Sequence, residues 1–401
     1  MPDEKDIGIA KRIAVHRLAA GYSQQELAAA ANVSYSLLTK VETANRQPTP
    51  AFIAACARAL LIDPQALTSA SYIGQMDAAA LLALAGPLRS ALDLYDLPPD
   101  ETIQPRSLAT LRKAVATANK VGQAANYGRI ATRLPALLAE LHTAAHLWTG
   151  RDQVEVWGLL AEAYRLGHTY AIAMRMPDLS AVALTRMDWA AAQAGDRAPG
   201  LRAAREYLRV TAYLREKDYA ACERLNASGV RYLDGTDERT PGALVARGQL
   251  HLGASVIAAR QHDDSATKHH LTEAQRIAEQ VGEGHWQQFW FGFGATNVQV
   301  HRTMTAVEAG EPEKAVKAAK NLHFPRGWLP SRIGHHHIDM ARAKASMGQH
   351  LGALEELERA AEVAPEQARR HPLVRETVFG LVSAEKKRSE RLARYAAWIN
   401  V

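Results

Sequence analysis

The chain predicts an all-α protein, and three observations carry that reading. Helix formers such as Ala, Leu, Arg and Glu dominate while Phe is scarce, at six residues in 401. Beyond residue 77, apolar residues recur at helical spacing in stretches of about 12 to 20 residues, with Gly, Asp or Pro between them and no convincing strand alternation. Helix-start signals, an oxygen side chain followed by Pro or by Glu, recur along the chain. At 401 residues it exceeds one ordinary domain, so two or more units are expected.

The first unit is legible element by element. Ile9, Ile13 and Leu18 sit at helical spacing and Gly21 ends the run, which predicts a helix over 7–20. Ser23 with Glu26 forms a capping box, in which each side chain satisfies a free backbone N–H, and so starts a second helix that buries Leu27. Asn32 tolerates positive φ and suits a tight turn; Ser34 then caps a third helix over 35–42. Thr49-Pro50 and Asp63-Pro64 each place a capping oxygen before a proline at the first helical position, predicting two further short helices that close the unit near Thr68. Two helices joined by a three- or four-residue turn within five short helices form a helix-turn-helix, whose second helix enters the DNA major groove.

Ser23-Gln24-Gln25-Glu26-Leu27-Ala28, then Val33-Ser34, then Leu38, Val41 and Glu42, closely resemble the Cro/repressor (XRE) helix-turn-helix family over about 60 residues. The resemblance implies that Tyr35, Ser36 and Lys40 reach base edges, that Gln24, Thr39 and Arg46 touch phosphates, and that Arg17 and Glu42 form a buried pair. The chain departs from the family at the turn, with Asn32 where Gly is usual. Residues 1–48 hold six Lys/Arg against five Asp/Glu, so the head has no strong basic footprint, and specific binding leans on dimerisation and base contacts.

The organisation expected is a DNA-binding domain over 1–68, a linker over 69–76 rich in small and polar residues, and a helical-repeat domain over 77–401. Within the last, a helix over 77–96 precedes a break from Pro98-Pro99-Asp100 to Pro105. From His336 to Glu366, the small residues Ala341, Ala353 and Ala360, the turn Gly348, Leu357 and Pro365 resemble the tetratricopeptide (TPR) consensus. A weaker copy lies near Gly310-Glu-Pro-Glu-Lys-Ala315, and more degenerate units fall at Ala212–Ala221 and His251–Ala278. Glu390 to Ile399, with Leu392, Tyr395 and Trp398, is placed to cap the open end. A single helix pair cannot bury its apolar face, so such pairs stack into a solenoid with a concave side.

A Cro/repressor head before TPR-like helices resembles the peptide-responsive TPR regulators of Gram-positive bacteria and a set of similarly sized actinobacterial regulators, and the Ala- and Arg-rich composition suits the latter. Both imply a bacterial transcription regulator that binds an inverted-repeat operator in double-stranded DNA as a homodimer, with a repeat domain that dimerises it and senses a peptide or small-molecule effector. The alternative is a TPR protein-interaction scaffold whose head does not bind DNA.

Other chemistry is weakly represented. The net charge of +6 permits a polyanion partner without requiring one. No run approaches 18 apolar residues and the MPDEKD start is too polar for a signal peptide, so a cytoplasmic protein with no membrane partner is expected. Cys56 and Cys222 have no CxxC neighbour and read as buried thiols. His142 and His146 have zinc-hydrolase spacing but lack the catalytic Glu, and consecutive His335, His336 and His337 read as a solvated helix start. No nucleophile elbow, phosphate loop or carboxylate pair emerges, so no enzyme activity, cofactor or metal is expected. The aromatic run from His285 to Phe293 stands out in a chain with 6% aromatic residues. Read as one continuous helix, it places Trp290, Phe293, Asn297, His301 and Met304 on one face, which suits either core packing between repeats, for the Phe residues above all, or a ligand groove with an aromatic wall and amide groups.

Overall fold

The computed structural model describes residues 9–10, 13–14, 16–17, 22–43, 45–60, 67, 85–237, 240–282, 288–384 and 389–399. Every regular element among them is helical. The chain divides into two compact units, Met1–Ala80 with Ala396–Val401, and Leu81–Tyr395.

In the first unit, residues 9, 10, 13, 14, 16 and 17 are helical. Helix α1 (Gln24–Ala30) opens with the reciprocal Ser23–Glu26 capping box. Asn32, at φ 53°, makes the left-handed turn, and Ser34 accepts from the Leu37 N–H to start α2 (Tyr35–Glu42). Thr49 caps α3 (Pro50–Ala59) by accepting from the Phe52 N–H, with Pro50 where no N–H is needed. Ile9, Ile13, Leu27, Leu38, Val41, Phe52, Ile53, Cys56 and Leu67 form one core. The Asp63-Pro64 start and the linker lie outside the described residues.

The second unit begins, within the described residues, with helix α4 over 85–93; the sequence reading extended it to 96, but 94–97 form turns. Six helical hairpins follow: α5 (Leu108–Gln123) with α6 (Tyr127–Leu147), α7 (Gly150–Ala173) with α8 (Pro177–Ala191), α9 (Ala198–Glu216) with α10 (Tyr219–Leu233), α11 (Pro241–Arg260) with α12 (Asp264–Val281), α13 (Ala295–Glu308) with α14 (Pro312–Ala319), and α15 (Pro330–Ser346) with α16 (His350–Val363). Each turn uses one left-handed residue, at Ala125, Arg175, Lys217, His262, Gly310 and Gly348. The next residue, with ψ between 64° and 89°, leads into the second helix. In five of the six hairpins that helix is opened by an oxygen cap (Asn126, Asp218, Asp263) or by proline (Pro177, Pro312), and α16 opens with neither. The first helix of each hairpin also packs on the first helix of the next, which makes a continuous inner layer of α5, α7, α9, α11, α13 and α15.

Small residues sit where these helices cross. Ala341, Ala353, Leu357 and Ala360 are all buried, and α16 ends before Pro365, which opens the short α17 (Pro365–Arg370). After α18 (Pro372–Ala384), α19 (Glu390–Trp398) packs on α16: the Tyr395 hydroxyl donates to the Leu357 carbonyl at 2.9 Å, and Arg391 pairs with Glu358.

Candidate functional site

The aromatic run is not a helical continuation of α13. Phe289 and Trp290 both have positive φ (50° and 57°), as do Gly292 (64°) and Gly294 (156°), so the helix starts only at Ala295. The segment lies across the inner layer. Trp290 stacks on the Arg165 guanidinium of α7 at 4.5 Å, and Phe291 meets Tyr207 of α9 edge-on at 5.2 Å. Phe289 and Phe293 fill notches over Gly200 and Gly248, where a Cβ would collide with their rings.

This placement corrects the sequence reading of a ligand face. Phe293, Asn297 and His301 are each 0% exposed, so they line no open groove. The buried polar groups are only half satisfied inside the core: Asn297 Nδ2 donates to Gln249 Oε1 at 3.3 Å and His301 Nδ1 meets the Asn297 carbonyl at 2.8 Å, while Asn297 Oδ1, Gln249 Nε2 and His301 Nε2 have no partner. Trp290 borders a cavity among the described residues. That cavity, of about 710 Å³, was not foreseen; it lies among α5, α7, the start of α9, the start of α11 and the Phe289–Trp290 pair. A smaller one, of about 380 Å³, separates α5 from α6.

The histidines read as metal candidates or as solvent-exposed are used in packing. His142 Nε2 meets the Tyr95 carbonyl at 2.6 Å, His146 Nδ1 meets the His142 carbonyl at 2.9 Å, and both rings stack near Trp189. His335, His336 and His337 are not a solvated helix start: they lie inside α15, an inner helix flanked on both sides, with His336 buried and His337 Nδ1 at 2.6 Å from Glu356. Among the described residues no three His, Cys, Asp or Glu side chains are grouped to hold a metal.

In the first unit the polar side chains divide by face. Leu38 and Val41 point α2 inward, while Tyr35 (49% exposed), Ser36 and Lys40 project outward, with Thr39 half-buried between them. Arg46 is exposed just beyond the helix, its N–H bonded to the Lys40 carbonyl at 3.0 Å. The back of α2 is fastened by Glu42, whose side chain is 4% exposed. Its Oε1 accepts from Arg17 Nε at 2.8 Å, and its Oε2 accepts from Arg17 Nη2 at 3.1 Å and Gln24 Nε2 at 2.7 Å. Arg17 Nη1 also donates to the Tyr22 carbonyl at 2.9 Å. One carboxylate thus joins the residues before α1, α1 itself and the end of α2.

Residues 9–71 match the family model of a helix-turn-helix domain. No curated protein and no solved structure matches the chain.

Within the helix-turn-helix domain, the Arg17–Glu42 pair is present as the resemblance implied. Gln24 is half-buried and its amide nitrogen is committed to Glu42, a role the sequence reading missed; the signal available was its place at the first position of the helix packed beside Glu42. Tyr35, Ser36 and Lys40 share one uncommitted face of the second helix of the motif. No described helix in either unit is long and apolar enough to cross a membrane.

Proposed function

We propose that the chain is a non-enzymatic, sequence-specific DNA-binding transcription regulator of the Cro/repressor type, acting as a homodimer on an inverted-repeat operator. The observation that carries this reading is the outward face of α2: Tyr35, Ser36 and Lys40 stand exposed on a helix whose back is fixed by Glu42, with Arg46 beside them. An α-helix fits the major groove, an Asn, Gln, Arg or Lys can read base edges there, and one helix reaches only a few base pairs. Paired half-sites then supply specificity that a weakly charged head lacks.

The hairpin array serves, in this reading, as the TPR-like dimerisation and effector domain. Its turns lie 38 residues apart from Gly310 to Gly348 and 50 apart from Ala125 to Arg175, longer than the roughly 34 residues of TPR units, so the likeness is to the stacking of helix pairs. An effector shifts DNA binding only if it prefers one arrangement of the two heads.

Fragments of the source genome should be selected on the intact chain and the enriched site tested by gel shift, whole and as a single half-site. The expected result is a symmetric site whose halves are centred one turn of DNA apart, about 10 base pairs, or a multiple of it, with the single half-site bound far more weakly. Random recovery of fragments would favour the scaffold reading.

A further inference from the structure

The cavity of about 710 Å³ has the size of a small-ligand pocket and is closed on one side by aromatic rings, and its chemistry is uneven. Val115, Leu159, Leu233, Phe289 and Trp290 give it apolar walls. At the α5–α7 side stands a linked polar group. Glu162 accepts from Arg197 and, at 2.7 Å, from Asn119 Nδ2, while Asn119 Oδ1 accepts from Arg165 Nη2 at 2.6 Å. Arg165 is 5% exposed, sits behind Asn119 and Trp290, and has only neutral hydrogen-bond partners, Asn119 and Thr169. Its Nε has none.

Glu162 thus pairs directly with Arg197 alone, and the buried Arg165 guanidinium reaches it only through Asn119. Burying a charge without a partner is costly, and burial already draws the Arg165 guanidinium down to about 9. Lys120, one residue from Asn119, adds a third cation to the wall. The start of α11, where Thr240, Pro241, Gly242 and Ala243 line the same space, presents the positive end of a helix. Opposing charges are also present: Asp196 lines the cavity, and Arg112 on its rim is taken by Glu155. With Arg197 paired to Glu162 and Asp196 beside it, the positive charge left over is that of Lys120 in the wall and Arg165 behind it.

We propose that this cavity binds a small amphipathic anion, a carboxylate or phosphate head group on a flat apolar body, with the head group at Lys120 and Arg197 and the body against Phe289, Trp290 and Leu233. The inference rests on the reading of the hairpin array as an effector domain and names the ligand class and its place. Arg165 acts here as a positioning residue, holding Asn119 and supplying positive potential from behind the wall.

The test uses the intact chain without DNA, so absence of an operator would overturn the regulator reading and leave this result standing. Binding of 8-anilinonaphthalene-1-sulfonate is followed by fluorescence, and 1-naphthoate, 1-naphthyl phosphate and neutral 1-naphthol are titrated as competitors. At least one of the two anions should displace the probe about ten-fold more tightly than naphthol, which is about 1.4 kcal/mol, and the tighter one identifies the head group. Lys120→Gln should weaken that anion about five-fold and leave naphthol unchanged. Arg165→Met should keep or raise the unfolding midpoint, since an apolar isostere removes an uncompensated buried charge, while lowering anion affinity. Equal displacement by anions and naphthol would overturn the proposal, as would anion affinity indifferent to both substitutions.

Discussion

Glu42 shows how much one side chain can organise. Three donors from two partners converge on it, and removing one member of a buried pair costs about 3 to 5 kcal/mol because the other is left uncompensated. Glu42→Ala in the intact chain should therefore cut the exchange protection of α1 and α2 backbone amides by two orders of magnitude or more, while the amides of α7 and α11 are unaffected; unchanged protection in α2 would show that the pair contributes nothing. His301 makes a second prediction at this scale. Burial, with Arg332 nearby, draws its imidazole down to about 3, so the fold keeps it neutral while the unfolded chain protonates near 6.5. Its contribution is intact above pH 6.5 and is lost as pH falls toward 3, and His168, at about 3, and His336 and His251, at about 4, act with the same sign. The unfolding midpoint should drop steadily from pH 6.5 to 4, and His301→Leu should flatten that slope; a parallel pH profile in the variant would contradict the assignment. The local caps at Ser23, Ser34 and Thr49 were readable in the sequence because a cap spans only four consecutive positions. The burial of Asn297 and His301 was not, because their partners come from the inner packing and from Gln249, 48 residues away.

At the scale of elements, the hairpin turns mark the limit of sequence reading. Gly310 and Gly348 announce left-handed positions, but Ala125 and Arg175 occupy the same conformation with side chains that favour it far less, and their hairpins went unrecognised. The converse holds at Gly292 and Gly294, whose positive φ ends the aromatic segment before α13 begins and breaks the continuous helix that the spacing suggests. What that segment needs is space on its neighbours. Gly248→Ala drives a methyl group into the Phe293 ring, and overpacking of this kind costs about 1 to 3 kcal/mol. A denaturant titration of Gly248→Ala should show that loss, and adding Phe293→Leu should recover part of it; full stability of the single variant would mean that the ring moves freely.

For the whole molecule, the all-helical class and the helix-turn-helix at its N-terminal end were legible because both depend on short-range patterns. The cavity was hidden: its walls come from segments between residues 112 and 290 that only the stacking of hairpins brings together. Both thiols, Cys56 and Cys222, are buried as the sequence suggested, and burial pushes each up to about 11, which leaves them inert as nucleophiles near neutral pH. The central claim is that the exposed face of α2 reads DNA sequence, and Lys40 is its most direct probe. Lys40→Ala should be carried through the same selection of genomic fragments as the parent chain, with affinities measured on the parent site at fixed salt. The account expects a loss of about 1 to 3 kcal/mol and relaxed preference at one base-pair position in each half-site. Unchanged affinity together with an unchanged preferred sequence would contradict it.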